Sequence, residues 1–428
     1  MTPPVGNTLS KLQNNCEGVV VLLVDERSLV GCCTLGWMEY MCRYAMNSGS
    51  FSSSSWGGLP VVVFLGDDVQ LPPVCGSPVY NCKSNKSASL HGALVWKEFN
   101  VAITLSNIIR QNQNETQLKD SLMALRDYKL SPEQAKWLQN FQWDTLKRSH
   151  GQPLLNRMSE NSLFVLTTHP DEWAHNKQQL LKANQLSPIA KLQAVDQGQH
   201  SKTSNDSTNS LLKTLFLCRG AKVMLTVNLN VKYGLFNGSM GEVVDILYFN
   251  NNTPYGNFPD VVMVEFTKYT GPPFLKGHPK LVPVVPVERK IDCHCYSYKR
   301  KQIPLRLGWW TTIHRCQGMT IGKGEANRYI VIHPGNKTFE ARNPGAVFVA
   351  LSRAKSTGVD REDPDFAWNP NILVNEDRLC LQVNTETTKA RSKEIDRIFK
   401  LSQKTKTNYA HLLDTSNFSN IEYSMEEK

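Results

Sequence analysis

At 428 residues with 40% hydrophobic content, the chain can bury two or three cores, which argues against a single small module and for a multidomain globular protein. Its formal charge of +10 favours a polyanionic partner, while the longest aliphatic run, Val19 to Val24, falls far short of the ~20 residues of a membrane helix and no charged-then-apolar leader opens the sequence. Eleven cysteines scattered from Cys16 to Cys380 do not form the framework of a small secreted domain and point to a reducing intracellular setting.

In chain order, Gly18 to Val24 is a Val/Leu run ending in charge, which suits a parallel strand covered on both faces. Leu35 to Ala45 reads as a crossover helix, Ser52 to Gly58 as a loop, and Leu59 to Leu65 as a second buried strand emptying into Gly66-Asp67. Two such strands describe an α/β sheet whose ligands sit at the carboxyl edge. The stretch 111 to 160 is expected to be helical, with Ser131-Pro132-Glu133 opening one helix. Leu163 to Leu166, Tyr329 to Ile332 and Ala346 to Ala350 read as further strands. Lys191 to Ser210, polar and nearly without apolar anchors, reads as a disordered surface loop. Residues 221 to 300 carry short β-type runs separated by turns, a small barrel-like insertion. Beyond 376 the tail is charged, with Ile395, Ile398 and Phe399 able to line one helical face. Cys293-His294-Cys295 has the wrong gap for a structural zinc site.

The chemistry concentrates at strand ends. Asp25-Glu26 follows a buried strand, the placement in which a nucleoside-triphosphate hydrolase holds Mg2+ with an aspartate and activates water with a neighbouring glutamate. Gly66-Asp67-Asp68-Val69-Gln70-Leu71-Pro72-Pro73 places a long amide side chain at the same edge. Arg110 and Arg353 offer guanidinium forks matched to phosphoryl oxygens. Arg289, Lys290, Lys299, Arg300, Lys301, Arg306 and Arg315 concentrate positive charge beside Trp309 and Trp310, a pairing suited to a nucleic-acid backbone and stacked bases, or else to a solvated face over a core.

Seven segments occur in one order: Asp25-Glu26-Arg27-Ser28, Trp56 to Pro60, Gly66 to Val74, Arg110-Gln111, Gly234 to Gly241, Thr312 to Thr320 and Ala350 to Arg353. On these the chain resembles the petite-integration-frequency (Pif-type) DNA helicases of superfamily one, relatives of RecD. The resemblance implies an α/β fold of two RecA-like P-loop NTPase lobes, the first incomplete, with a small SH3-like β insertion in the second. It implies this division: 1–110 partial first lobe, 111–220 second lobe, 221–300 insertion, 301–375 return of the second lobe, and 376–428 charged tail. ATP-dependent 5′-to-3′ unwinding is implied, with ATP and Mg2+ as cofactors and single-stranded DNA and DNA forks as partners, in repair, recombination or telomere maintenance. By motif position Asp25 would ligate Mg2+, Glu26 would be the catalytic base, and Gln70 would sense the γ-phosphate, with Gln111, Gly318 and Thr320 also at the nucleotide. Arg110 and Arg353 would reach the phosphate from the second lobe, while His314, Arg315, Gln317, Lys299, Arg300, Lys301 and Trp309 would meet DNA. The family setting is intracellular, nuclear or mitochondrial in a eukaryote, as a monomer that meets replication or repair proteins.

One part of the pattern is missing. No Gly-x-x-x-x-Gly-Lys-Ser/Thr occurs, and Gly322-Lys323-Gly324 lies past the histidine motif, in the wrong lobe. The expectation is an N-terminally truncated motor, inactive or strongly impaired by itself, poorly soluble, and with uncovered sheet edges. The alternatives are a non-catalytic, single-stranded-DNA-binding remnant and a RecD-like subunit that needs partner chains.

Overall fold

A computed structural model describes residues 3–46, 51–167, 169–183, 187–198, 207–208, 211–249, 258–292, 297–358, 363–369, 374, 379 and 386–412. Cys293, His294 and Cys295 lie outside these. The chain divides into two compact units, Met1–Ile109 with Lys337–Phe348 and Cys380–Lys428, and Arg110–Asn336 with Val349–Leu379.

The first unit opens with α1 (Asn7–Cys16), β1 (Val21–Val24), α2 (Cys32–Ala45), β2 (Val61–Phe64) and α3 (Ser87–Glu98). The strands pair in parallel, Val21 opposite Val61 and Val24 opposite Phe64. Leu22, Val62 and Phe64 pack against a core of Leu35, Trp56, Val79, Val95 and Trp96. Burial on both faces is not what forms. Because α2 and α3 both supply that one core, the alternate residues Val21, Leu23 and Val61 stay 43%, 64% and 44% exposed. The two helices approach backbone to backbone. A methyl on Gly36 would fall on the Ala88 carbonyl, and one on Gly92 on the Cys32 carbonyl.

The second unit begins as expected, with helices α4 (Thr116–Arg126), α5 (Pro132–Gln139) and α6 (Trp143–Asn161). Pro132 opens α5 behind a capping box, in which the Ser131 hydroxyl accepts from the Gln134 N–H and the Gln134 side chain accepts from the Ser131 N–H. The fully buried β3 (Ser162–Leu166) leads to α7 (His169–Ala183). Residues 191–193 and 195–197, expected as loop, belong to β4 (Ala190–Gln193) and β5 (Val195–Gln197). Leu192 is 1% exposed and supplies an anchor that composition alone understated. Short strands β6 (Ser207–Thr208) and β7 (Leu211–Leu212) precede β8 (Thr214–Leu217).

Next come β9 (Lys222–Leu225), β10 (Met240–Leu247), β11 (Val261–Phe266) and β12 (Leu281–Val284), joined by β15 (Leu305–Leu307) in a five-stranded antiparallel sheet of order β12-β11-β10-β9-β15. A three-stranded sheet pairs β13 (Val287–Asp292), β14 (Ser297–Gln302) and β5. Finally β16 (Trp310–Thr312), β3, β17 (Tyr329–Ile332) and β18 (Phe366–Trp368) make a parallel sheet in that order, with α8 (Ile313–Cys316) directly after β16. Trp310 is fully buried there among Leu146, Leu155, Met158 and Phe164.

After α9 (Lys337–Arg342), the run expected as a strand at 346–350 is the helix α10 (Ala346–Leu351). Apolar runs this short carry no period that separates strand from helix. What decides is the Glu340 carboxylate, which accepts from the N–H groups of Gly345 and Val347 at 2.9 and 3.2 Å at the helix start. The tail contains α11 (Glu386–Asn408). Its anchors are polar: Arg391 and Glu394 are 7% and 6% exposed, whereas Phe399 is 59% exposed. Among the described residues no helix is long and apolar enough to cross a membrane.

Candidate functional site

In the first unit the parallel register brings the two acidic motifs side by side. The Leu65 N–H donates to the Val24 carbonyl at 2.8 Å, and the Arg27 N–H donates to the Leu65 carbonyl at 2.9 Å, so the strand ends are zipped past the sheet. Gly66 is required here, at φ +139 and with its missing Cβ only 2.8 Å from the Arg27 nitrogen. Asp25 is exposed and accepts from the Glu26 N–H at 2.8 Å. Glu26 sits in the left-handed region at φ 51, ψ 48, a costly conformation for a residue with a Cβ and one that concentrates at functional sites.

Arg27 pairs with Asp68 at 2.6 Å. Burial pushes the Asp68 carboxyl above the usual carboxylate range, and the Arg27 guanidinium works against that push. Asp67 folds the next turn, its side chain accepting from the Val69 N–H at 3.1 Å and its carbonyl from the Gln70 N–H at 3.0 Å. The Gln70 Oε1 is buried and makes no hydrogen bond among the described residues. Sequence reasoning quoted Arg27 and Asp68 but gave them no role. Their signal was the like spacing of a cation and an anion just beyond two paired strands.

The second unit gathers a different set. Arg110 Nε donates to Thr320 Oγ1 at 3.3 Å. Gln111, only 5% exposed, donates through Nε2 to the Ser352 and Ala354 carbonyls at 3.0 and 2.8 Å. A backbone bridge joins Ile321 to Ala354. Three separated motifs therefore converge on one loop, and Gln111 braces that loop through its amide. Arg353, 1% exposed, donates from Nε to the Val349 carbonyl at 2.9 Å and from Nη2 to Ser352 Oγ at 2.8 Å. Gly318, with φ +81, ends the turn after α8. Burial holds the His314 imidazole below its ordinary pKa, so its neutral form is favoured. Gln317 is half-buried, and Arg315 is exposed.

The candidates for nucleic-acid contact separate by strand alternation. Along β14, Lys299 and Lys301 point outward, while Tyr298, Arg300 and Gln302 are buried. Arg300 is 0% exposed and forks onto Asp196 at 2.7 and 2.9 Å, with a third bond to the Leu211 carbonyl. That corrects its assignment: the guanidinium holds β14 to β5 and cannot meet a strand. Trp309 is corrected likewise, because it lies in the apolar core with Leu235, Val264 and Leu307. Lys299 pairs with the exposed Glu288 at 2.8 Å, and Lys290 stands opposite Lys299 on the neighbouring strand.

Mg2+ typically keeps several waters and takes one or two carboxylates together with substrate phosphates. An exposed Asp25 beside Glu26, with the unbonded Gln70 Oε1 in the same unit, fits that metal and the terminal phosphate. No Gly-x-x-x-x-Gly-Lys-Ser/Thr loop for the remaining phosphates occurs in this sequence. Among the described residues no group of three or more His, Cys, Asp or Glu forms a preassembled metal site.

Residues 207–246 match the family model described as the DNA helicase Pif1 2B domain. The chain is 28% identical over 345 residues to the ATP-dependent DNA helicase PIF1 of Danio rerio, covering 78% of this chain and 45% of that protein. It is 26% identical over 352 residues to the Homo sapiens protein of the same name, covering 80% and 45%. It thus spans about 45% of the length of these relatives. The fold is similar to that of the Pif1 helicase from Candida albicans, with a TM-score of 0.64 and 22% identity over 92% of this chain and 82% of that one. It is similar also to the Bacteroides Pif1 helicase solved with ADP-AlF3 and single-stranded DNA, with a TM-score of 0.59 and 18% identity over 94% and 79%.

Proposed function

Because this chain belongs to the Pif-type family of DNA helicases, we propose that it carries the acid pair, the glutamine sensor and the strand-tracking unit of an ATP-dependent 5′-to-3′ DNA helicase. The observation that carries this reading is the zipped pair of strand ends, where Arg27 and Asp68 at 2.6 Å hold Asp25-Glu26 and Gln70 on the same sheet edge. Asp25 would hold Mg2+, which screens phosphate charge when bound. Glu26 would orient and deprotonate the attacking water, and Gln70 would read the terminal phosphate. In the second unit Arg110, Thr320 and the Ser352–Ala354 loop would move as one piece, braced by Gln111. Arg353 would reach a phosphate only by releasing the Val349 carbonyl.

Single-stranded DNA and forks are the proposed partners. The support is the outward lysines of β14, the exposed Arg315, and relatives solved with single-stranded DNA and at forked DNA. The working place would be intracellular, nuclear or mitochondrial in a eukaryote, and the chain would act as a monomer.

A second reading is favoured by the lack of a Gly-x-x-x-x-Gly-Lys-Ser/Thr loop in the sequence. Without that cradle the chain by itself would bind single-stranded DNA and not hydrolyse ATP. The purified chain is expected to bind single-stranded DNA, to lose affinity as salt rises, and to hydrolyse ATP at background. Mg2+-dependent, DNA-stimulated hydrolysis abolished by Glu26→Gln would favour the complete motor over the second reading. Absence of DNA binding would sink both.

A further inference from the structure

The helix α11 lies far along the chain from Gln70, yet it touches the turn that presents it. Arg391 Nη1 donates to the Val69 carbonyl at 3.4 Å and to the Pro344 carbonyl at 3.2 Å, from a side chain in a residue only 7% exposed. From another direction Gly345, at φ +93, backs so closely onto the Val69 oxygen that a methyl there would collide with it. Glu340 fixes this glycine by accepting its N–H at 2.9 Å. One turn further along α11, Glu394 accepts from the Trp96 indole at 2.8 Å, and the same ring lies within 6.0 Å of Arg27 and 5.9 Å of Arg397. The helix is therefore docked on α3 and on the sensor turn together.

The Val69 carbonyl belongs to the peptide plane that leads into Gln70. Its orientation fixes the Gln70 N–Cα direction, about which φ alone turns the Cα–Cβ bond. The Gln70 Oε1 has no hydrogen bond among the described residues to aim it instead. We propose that Arg391 is a positioning residue for Gln70, with Gly345 as its backstop, so that α11 is part of the sensor. The proposal rests on reading Gln70 as the phosphate sensor. Both contacts also flank the segment Val349–Leu379, which belongs to the second unit and carries Arg353. Covalent continuity thus links the clamp to that segment on either side.

The test follows the Gln70 side-chain amide by NMR in the full chain labelled with 15N-glutamine, the signal being assigned by its loss in Gln70→Ala. Arg391→Ala is expected to shift this signal and to speed backbone amide exchange at Gln70 and Leu71 at least about tenfold, the factor for losing a charge-assisted hydrogen bond. Exchange in β2 and α3 should hold. Arg391→Lys, which keeps a cationic donor, should restore most of the signal. Gly345→Ala, which leaves the guanidinium in place and displaces the carbonyl, should shift Gln70 as well, and it serves if Arg391→Ala fails to fold. An unmoved Gln70 signal in either variant, or loosening spread evenly over α3 and α11, would overturn the proposal and leave a plain structural brace. The readout needs no turnover, so the sensor reading is judged separately. If Mg2+ and ATP leave the Gln70 signal of the unmutated chain in place, nucleotide sensing fails while the clamp stands.

Discussion

Arg27 and Asp68 meet at 2.6 Å with side chains 16% and 3% exposed, so the residue that follows the acid pair is locked to the turn that carries Gln70. A pair buried this far loses its solvation on both sides, and removing one partner strands the other. Asp68→Ala is expected to destabilise the first unit by about 3 kcal/mol. Arg27→Met with Asp68→Leu should cost less than Asp68→Ala alone. Denaturant melts combined in a double-mutant cycle measure the difference, and simple additivity of the two single changes would contradict a coupled pair.

The helix pair of the first unit is a second sensitive point. Gly92→Ala sets a methyl onto the Cys32 carbonyl, backbone against backbone, with no flexible side chain to give way. A loss of about 1–3 kcal/mol is expected for such overpacking. Gly18→Ala serves as a control for a glycine with open space around it, where only its left-handed φ of +73 is strained. Thermal unfolding followed at 222 nm compares the two, and Gly92→Ala should have the lower midpoint.

His175 provides the pH dependence. Its ring lies 4.0 Å from that of Phe164, burial together with Lys182 lowers its pKa to about 4, and its Nε2 makes no hydrogen bond among the described residues. The unfolded chain takes up this proton near the ordinary histidine value of about 6.5, before the folded chain does. The contribution is therefore fully present above that value and is lost as pH falls toward 4, by at most about 1.4 kcal/mol per pH unit for one proton. His175→Leu should flatten the stability profile across this window, and a slope unchanged by the substitution would assign the proton elsewhere.

On the nucleic-acid side, Lys301→Ala with Arg315→Ala should weaken single-stranded DNA binding at a stability cost well below that of Arg300→Ala, since both residues are exposed. The slope of log affinity against log salt should fall by roughly 0.7 for each phosphate contact removed. Arg300→Ala should do the reverse. It strands Asp196, whose side chain is 8% exposed, and is expected to cost about 3–5 kcal/mol of folding free energy. Fluorescence anisotropy titrations at three salt concentrations, paired with melts, separate the two behaviours.

These outcomes also mark where the sequence was legible. The strand runs of the first unit and the capped start of α5 follow from local pattern. The strand alternation that hides Arg300 could not be placed, because its partner Asp196 sits in a polar stretch that reads as loop. A count of positive charges does not say which of them face inward. The run 346–350 misled because a short apolar segment carries no period, and its helix is started by Glu340, a residue outside the run. The α11 anchors were missed for a related reason. Amphipathic reading looks for apolar faces, whereas this helix docks through a buried arginine and a buried glutamate.

If Glu26 is the base proposed above, its left-handed backbone sets folding and chemistry against each other at one position. Glycine would relieve a strain of about 1 kcal/mol or more there, and asparagine would tolerate the conformation better than most residues. A selection for thermal stability alone would thus drift away from the carboxylate, whereas a selection for turnover would retain it despite the strain. In a motor that turns over ATP, position 26 is where a stability screen and an activity screen should disagree most openly.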